Sequence, residues 1–328
     1  MKHFEINLGK ENVKLAGYLH DLSEELKNAA IRPAVLIFPG GGYFTCSDRE
    51  AEPIALAYMA EGYQTFVLRY SVGKDIPFQE SYEDAIAALT YVKENSEKLR
   101  VDSEHIALVG FSAGGHLAAA VGTMSMVKPS AMILGYPVIL DATGELIGKE
   151  IPGLDKAVTE QTPPAFIFST SNDMIVPIEN SLKFAAALNE KDVPFEMHIF
   201  SDGPHGLSLA KPLTSNGQKN MVNPSAAKWF EFSISWLKSM WGDFFAEDTD
   251  ELEMKKNGIS INTPVRLLME ETQCSKILEK YIPDIKEMLA ANPMSGQFSV
   301  IIMNHYSPEI ITDEMLKAIE RELEQISK

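Results

Sequence analysis

Gly110-Phe111-Ser112-Ala113-Gly114 sets a hydroxyl between two glycines, directly after the apolar run Ile106–Val109 and before Gly115-His-Leu-Ala-Ala-Ala120. G-x-S-x-G between a buried strand and a helix is the pattern that presents a nucleophilic serine on a sharp turn. The glycines let two backbones pass closely, and the free N–H groups of a helix start favour negative charge beside the serine. Such a serine needs a base to take its proton and an acid to orient the base, in the chain order Ser, acid, base. Asp173, in Ser171-Asn-Asp-Met-Ile-Val-Pro177, follows the apolar run Ala165–Thr170, and His205, in Asp202-Gly-Pro-His-Gly206, follows Phe195–Phe200. Read alone, the serine pattern arises by chance in many chains and Asp173 is a turn former. Their order and their shared placement at strand ends predict a triad for acyl transfer. Asp202 competes with Asp173 for the acid but lies on the same loop as His205. His116, four residues past Ser112, reads as packed or locally bonded.

Acyl transfer builds negative charge on the carbonyl oxygen, and each fixed N–H donor there is worth on the order of 3 kcal/mol. Gly40-Gly41-Gly42 follows the strand-like run Ala34–Phe38. The expected donors are the N–H groups of Gly41, Gly42 and Ala113. A phosphate loop would need G-x-x-x-x-G-K-[ST] or G-x-G-x-x-G, but Tyr43-Phe44-Thr45 follows the glycines and no lysine does. Tyr43, Phe44, Tyr136, Ile175 and Pro204 each sit beside a strand end that carries a site residue, so they are expected to wall the substrate pocket. The charged run Ser47-Asp48-Arg49-Glu50, with Glu52, reads as a helix cap with an acidic first turn rather than as a sugar contact.

The elements that must hold these residues alternate. Apolar strand-like runs at Ala34–Phe38, Gln64–Tyr70, Ile106–Val109, Ser130–Pro137, Ala165–Thr170 and Phe195–Phe200 are separated by helical patterns at Glu50–Glu61, Phe78–Leu99, Ile178–Asn189 and Ser225–Trp241. That alternation predicts an α/β fold, a mostly parallel sheet covered by helices on both faces. Phe4–Leu8 and Val13–Leu19 predict an antiparallel edge. The expected division is a catalytic domain over 1–242, an acidic linker over 243–257, and a small, mainly helical C-terminal module over 258–328. Within that module Thr263-Pro264 reads as an N-cap with proline at the first helical position, and Thr312–Ile326 as an amphipathic helix. About seventy residues make a marginal core, so the module is expected to dock on the main domain or to join copies as a homo-oligomer.

The formal net charge of −17 argues against nucleic-acid or anionic-membrane partners. Cys46 and Cys274, the two cysteines, form no metal or disulfide spacing. With no apolar leader pattern and no apolar run long enough for a membrane, the expected compartment is the cytoplasm. The predicted chemistry calls for no metal and no organic cofactor.

These motifs carry a resemblance. Pro39-Gly-Gly-Gly-Tyr43, Ser47-Asp-Arg-Glu-Ala-Glu-Pro53, Gly110-Phe-Ser-Ala-Gly-Gly-His116, Thr162-Pro-Pro-Ala-Phe166, Asp173 with Val176-Pro177, and Gly203-Pro-His-Gly-Leu207 resemble an α/β-hydrolase of the lipase/esterase kind, near bacterial acetyl-esterase and acetyl-xylan-esterase-like proteins. The resemblance implies the α/β-hydrolase fold, with Ser112 as nucleophile, Asp173 as acid, His205 as base, and Gly41, Gly42 and Ala113 as oxyanion donors. The sequence departs from the family pattern at Pro39, where many such esterases have the histidine of H-G-G-G, and in the short segment from Asp141 to Gln161. The tail more loosely resembles a small module at the ends of some bacterial carbohydrate-active enzymes. The expected activity is a serine esterase that removes short acyl groups, acetyl above all, from a small alcohol or an acetylated oligosaccharide. A serine peptidase acting on short peptides would use the same residues, and a non-catalytic binding protein on the same fold is the third reading.

Overall fold

Runs that are apolar at every position, rather than at every second one, form the middle of a single eight-stranded sheet. The computed structural model describes residues 1–146, 148–244 and 259–326. Its strands are β1 (Lys2–Asn7), β2 (Lys14–Leu19), β3 (Arg32–Phe38), β4 (Gln64–Arg69), β5 (Val101–Phe111), β6 (Ala131–Gly135), β7 (Ala165–Thr170) and β8 (Phe195–Phe200). They lie in the order β1-β2-β4-β3-β5-β6-β7-β8. β1 and β2 pair antiparallel, as do β2 and β4, and every later pairing is parallel.

Continuous apolarity suits these strands because both faces are covered. Along β3, Ala34, Leu36 and Phe38 enter one core while Val35 and Ile37 enter the other. The first core holds side chains of α2 (Phe78–Glu94), α4 (Ala113–Met124) and α6 (Glu179–Glu190), and the second those of α1 (Glu52–Ala60) and α7 (Trp229–Trp241). Two short helices complete this set, α3 (Ser96–Leu99) and α5 (Asp141–Leu146).

Several helix boundaries differ from the sequence expectation. The helix expected over Glu50–Glu61 begins at Glu52, after a separate 3-10 turn over Asp48–Glu50. Ser47 makes no capping bond, and Asp48 instead pairs with Arg69 at 2.6 Å. The pattern over Phe78–Leu99 breaks at Asn95, and Arg100 turns left-handed (φ 53°) to enter β5. The closing helix starts at Trp229, behind a 3-10 turn over Ala226–Lys228.

The chain divides into two compact units, Met1–Phe244 and Phe245–Lys328. The expected acidic linker over 243–257 lies outside the described residues from 245 onward. The second unit has helices Val265–Glu270, Thr272–Tyr281, Ile285–Ala291, Val300–Tyr306 and Asp313–Ile326. They enclose their own core, which includes Val265, Leu268, Leu278, Val300, Ile319 and Leu323. Pro264, not Thr263, occupies the position before the first of these helices, and the Thr263 hydroxyl accepts the Ser260 N–H at 3.1 Å. Among the described residues no helix is long and apolar enough to cross a membrane.

Candidate active site

β5 ends at Phe111 and α4 begins at Ala113, so a single residue, Ser112, turns the chain. Its backbone is held at φ 53°, ψ −118°, a strained conformation for a side chain with a Cβ. Three main-chain bonds hold it there: Ser112 N–H donates to Gly135 O at 3.0 Å, and Ser112 O accepts the N–H groups of His116 (3.0 Å) and Val138 (3.1 Å). Gly114 is required by close approach, since a Cβ there would lie 2.0 Å from Phe38 O. The elbow is thereby pressed against the end of β3, where the glycine loop begins.

The loops after β7 and β8 bring an acid and an imidazole to this serine. His205 Nε2 lies 2.8 Å from Ser112 Oγ, and His205 Nδ1 lies 2.7 Å from Asp173 Oδ2. The other Asp173 oxygen accepts the N–H groups of Ile175 (2.9 Å) and Val176 (3.0 Å), which fixes the carboxylate plane. Its side chain is 1% exposed, so this acceptor faces His205 with little competition from water. Asp202 turns elsewhere, its Oδ1 accepting the Asn172 amide at 2.7 Å. The Tyr136 ring meets the His205 ring edge-on, centroids 5.1 Å apart.

The glycine loop is bent back on itself. Phe44 and Thr45 N–H donate to Gly41 O, Ser47 N–H to Gly40 O, and Gly40 N–H to Glu50 Oε2. Gly41 and Gly42 N–H are not among the loop donors with partners in the described residues. Gly41 has φ 130°, and a Cβ there would meet Thr45 O at 2.2 Å. The loop's own carbonyl therefore demands glycine at this position.

A family model described as BD-FAE matches residues 21–134, and the prolyl oligopeptidase family model matches residues 149–232. The chain is similar to the solved α/β-hydrolase enzyme MGS-M1 from a Medee basin deep-sea metagenome library, at 42% identity and a TM-score of 0.70, over 73% of this chain and 97% of that one. The chain belongs to the α/β-hydrolase family. It is also similar to an acetyl ester-xyloside bifunctional hydrolase from Caldicellulosiruptor lactoaceticus, at 32% identity and a TM-score of 0.63, over 73% of this chain and 97% of that one. Endo-1,4-beta-xylanase B of Butyrivibrio fibrisolvens is 33% identical over 245 residues, which are 64% of this chain. The chain spans 39% of that curated relative's length.

In this α/β-hydrolase the residues expected at the pocket wall part company. Ile175 is 60% exposed, and with Pro204 and His205 it lines a cavity of about 710 Å³ beside the histidine loop. Phe44 is exposed at the glycine loop. Tyr43 and Tyr136 are instead buried, at 2% and 3% exposure, and support the site from behind. Their hydroxyls explain the difference, because each has a buried acceptor. The Tyr43 hydroxyl donates to His116 Nδ1 at 2.8 Å, and His116 Nε2 donates to Pro152 O at 3.0 Å. A carbonyl only accepts, so the proton of the neutral ring sits on Nε2. Burial pushes the His116 pKa down to about 4.

Sequence reasoning missed the inward half of the charged run after the loop. Arg49 donates to Gly206 O (2.8 Å) and Thr214 O (3.0 Å), and Glu50 is 3% exposed. Nothing in the local pattern sets Glu50 apart from Asp48. Among the described residues no group of three or more His, Cys, Asp or Glu could hold a metal ion.

Proposed function

We propose that this chain is a serine esterase that removes short acyl groups, acetyl above all, from a small alcohol or an oligosaccharide. The observation that carries the reading is the unbroken hydrogen-bond chain from Asp173 Oδ2 through His205 to Ser112 Oγ, at 2.7 and 2.8 Å. Ser112 Oγ attacks the acyl carbon as His205 Nε2 takes its proton, and Asp173 holds the ring and stabilises the imidazolium. The carbonyl oxygen becomes an oxyanion facing the N–H groups of Gly41, Gly42 and Ala113. Collapse expels the alcohol, which leaves with the proton from His205. Water, activated by the same histidine, then frees the acid from the acyl-serine.

Two relatives support a sugar as the alcohol: one is named an acetyl ester-xyloside hydrolase and the other a xylanase. The match of residues 149–232 to the prolyl oligopeptidase family keeps a serine peptidase as the second reading, with the same three residues. The free thiols of Cys46 and Cys274 support a reducing compartment, the cytoplasm. In this mechanism the chemistry runs on protein side chains and water.

The test is hydrolysis of p-nitrophenyl acetate, acetylated xylo-oligosaccharides and aminoacyl p-nitroanilides side by side. Acetate release from the first two, lost by on the order of 10⁴-fold or more in Ser112→Ala, is the expected result, with a serine-directed phosphonate labelling Ser112. A variant that keeps a tenth of wild-type turnover ends the triad reading. A preference for the anilides moves the assignment to the peptidase.

A further inference from the structure

Glu50 is a carboxylate sealed away from solvent, at 3% exposure, on the 3-10 turn that follows the glycine loop. Burying such a group is costly unless its oxygens are satisfied, and both are. Oε2 accepts the N–H of Gly40 at 2.8 Å, one residue before the first proposed oxyanion donor. Oε1 accepts the Tyr136 hydroxyl at 2.6 Å. The Tyr136 oxygen in turn accepts the N–H of Ser208 at 2.9 Å, three residues past His205, while its ring rests edge-on against the imidazole. Burial, and then the negative charge of Glu50, push the Tyr136 phenol well above its ordinary pKa, so it remains a donor to the carboxylate. Arg49 works on the same loop, holding Gly206 O with its guanidinium and accepting the Ser208 hydroxyl at its carbonyl.

Two loops far apart in the sequence must stay in register around Ser112 during acyl transfer, one carrying the oxyanion donors and one carrying the base. Glu50 is bonded toward both. We propose that Glu50 is a positioning residue for acyl transfer, its carboxylate holding the Gly41–Gly42 donors through Gly40 and the His205 loop through Tyr136. A carboxylate suits the place because it meets two donors at once. A glutamine that accepts from Gly40 turns its N–H2 toward Tyr136, whose hydroxyl already accepts from Ser208 and must then accept again and leave its own proton without this acceptor.

This inference rests on the esterase reading above, and the experiment separates the two. Glu50→Gln, Tyr136→Phe and the double variant are compared with wild type for kcat and KM on p-nitrophenyl acetate, for affinity toward a trifluoromethyl ketone, and for Tm. Glu50→Gln is expected to lower kcat about 100-fold, the size of loss a misplaced group of about 1 Å produces. Its KM stays within about threefold, and ketone affinity falls in step with kcat/KM, as for an interaction made in the transition state. Tyr136→Phe lowers kcat about tenfold, and the double variant loses less than the product of the single losses because both act through one linkage. A Glu50→Gln enzyme with a lower Tm but kcat within about threefold of wild type overturns the proposal, as does a rise in KM alone. If Glu50→Gln does not fold, Tyr136→Phe decides: lower kcat at near wild-type Tm supports the linkage, and unchanged kcat overturns it. A wild-type chain inert to every acetyl ester overturns the esterase reading and this inference together, whereas an active wild type with an unimpaired Glu50→Gln overturns this inference alone.

Discussion

His116 is a neutral imidazole locked between the glycine loop and the segment after β6, and acid should unlock it. Its ring is fully buried, with Tyr43 donating to Nδ1 and Nε2 donating to Pro152 O. Burial lowers its pKa from the usual 6.5 to about 4. Below pH 6.5 the unfolded chain therefore takes up a proton that the folded chain refuses until about pH 4. The stabilisation tied to this group is complete above 6.5 and is lost as pH falls toward 4. At about 1.36 kcal/mol per pKa unit, the full loss is about 3 kcal/mol, of which about 2 kcal/mol is already gone at pH 5. All three tryptophans lie on α7 in the same unit, so their fluorescence in urea reports its unfolding. Wild type and His116→Gln should be compared at pH 7 and pH 5. The drop in unfolding free energy on acidification should be about 2 kcal/mol larger in wild type, because glutamine does not titrate. Carboxylates elsewhere contribute equally to both proteins and cancel. A difference below about 0.5 kcal/mol would refute the idea that the site is built on a buried neutral ring.

Two further outcomes follow from the same geometry. Asp173→Asn should cost roughly 10⁴-fold in kcat by favouring the wrong imidazole tautomer, while Asp202→Asn, whose side chain meets Asn172 and keeps an oxygen to accept from it, should cost far less; steady-state kinetics on p-nitrophenyl acetate would expose the reverse ranking. Ending the chain at Phe244 removes the second unit, and hydrolysis should stay within roughly tenfold of wild type, about 1.4 kcal/mol of transition-state stabilisation. A folded, soluble truncation without activity would show that the second unit helps build the site.

Much of the positioning was written locally. The Gly110–Gly114 spacing demands a turn between strand and helix, and apolar runs of strand length demand a sheet covered on both faces. Parallel strands leave their C-terminal ends together, so residues just past β5, β7 and β8 could be expected to meet although Ser112 and His205 are 93 residues apart. Which side chains turn inward was not local. Asp48 and Glu50 share one short turn, yet the Asp48 side chain is 90% exposed while Glu50 is buried against Gly40 and Tyr136. Tyr43 and Tyr136 do stand beside strand ends, but their backbones have φ values of 65° and 37°, unlike the extended strands they adjoin. Their hydroxyls find His116 and Glu50 rather than a ligand. Periodicity records which face of an element is apolar, whereas the partner of a buried polar atom is set by loops that the sheet brings together from distant parts of the chain.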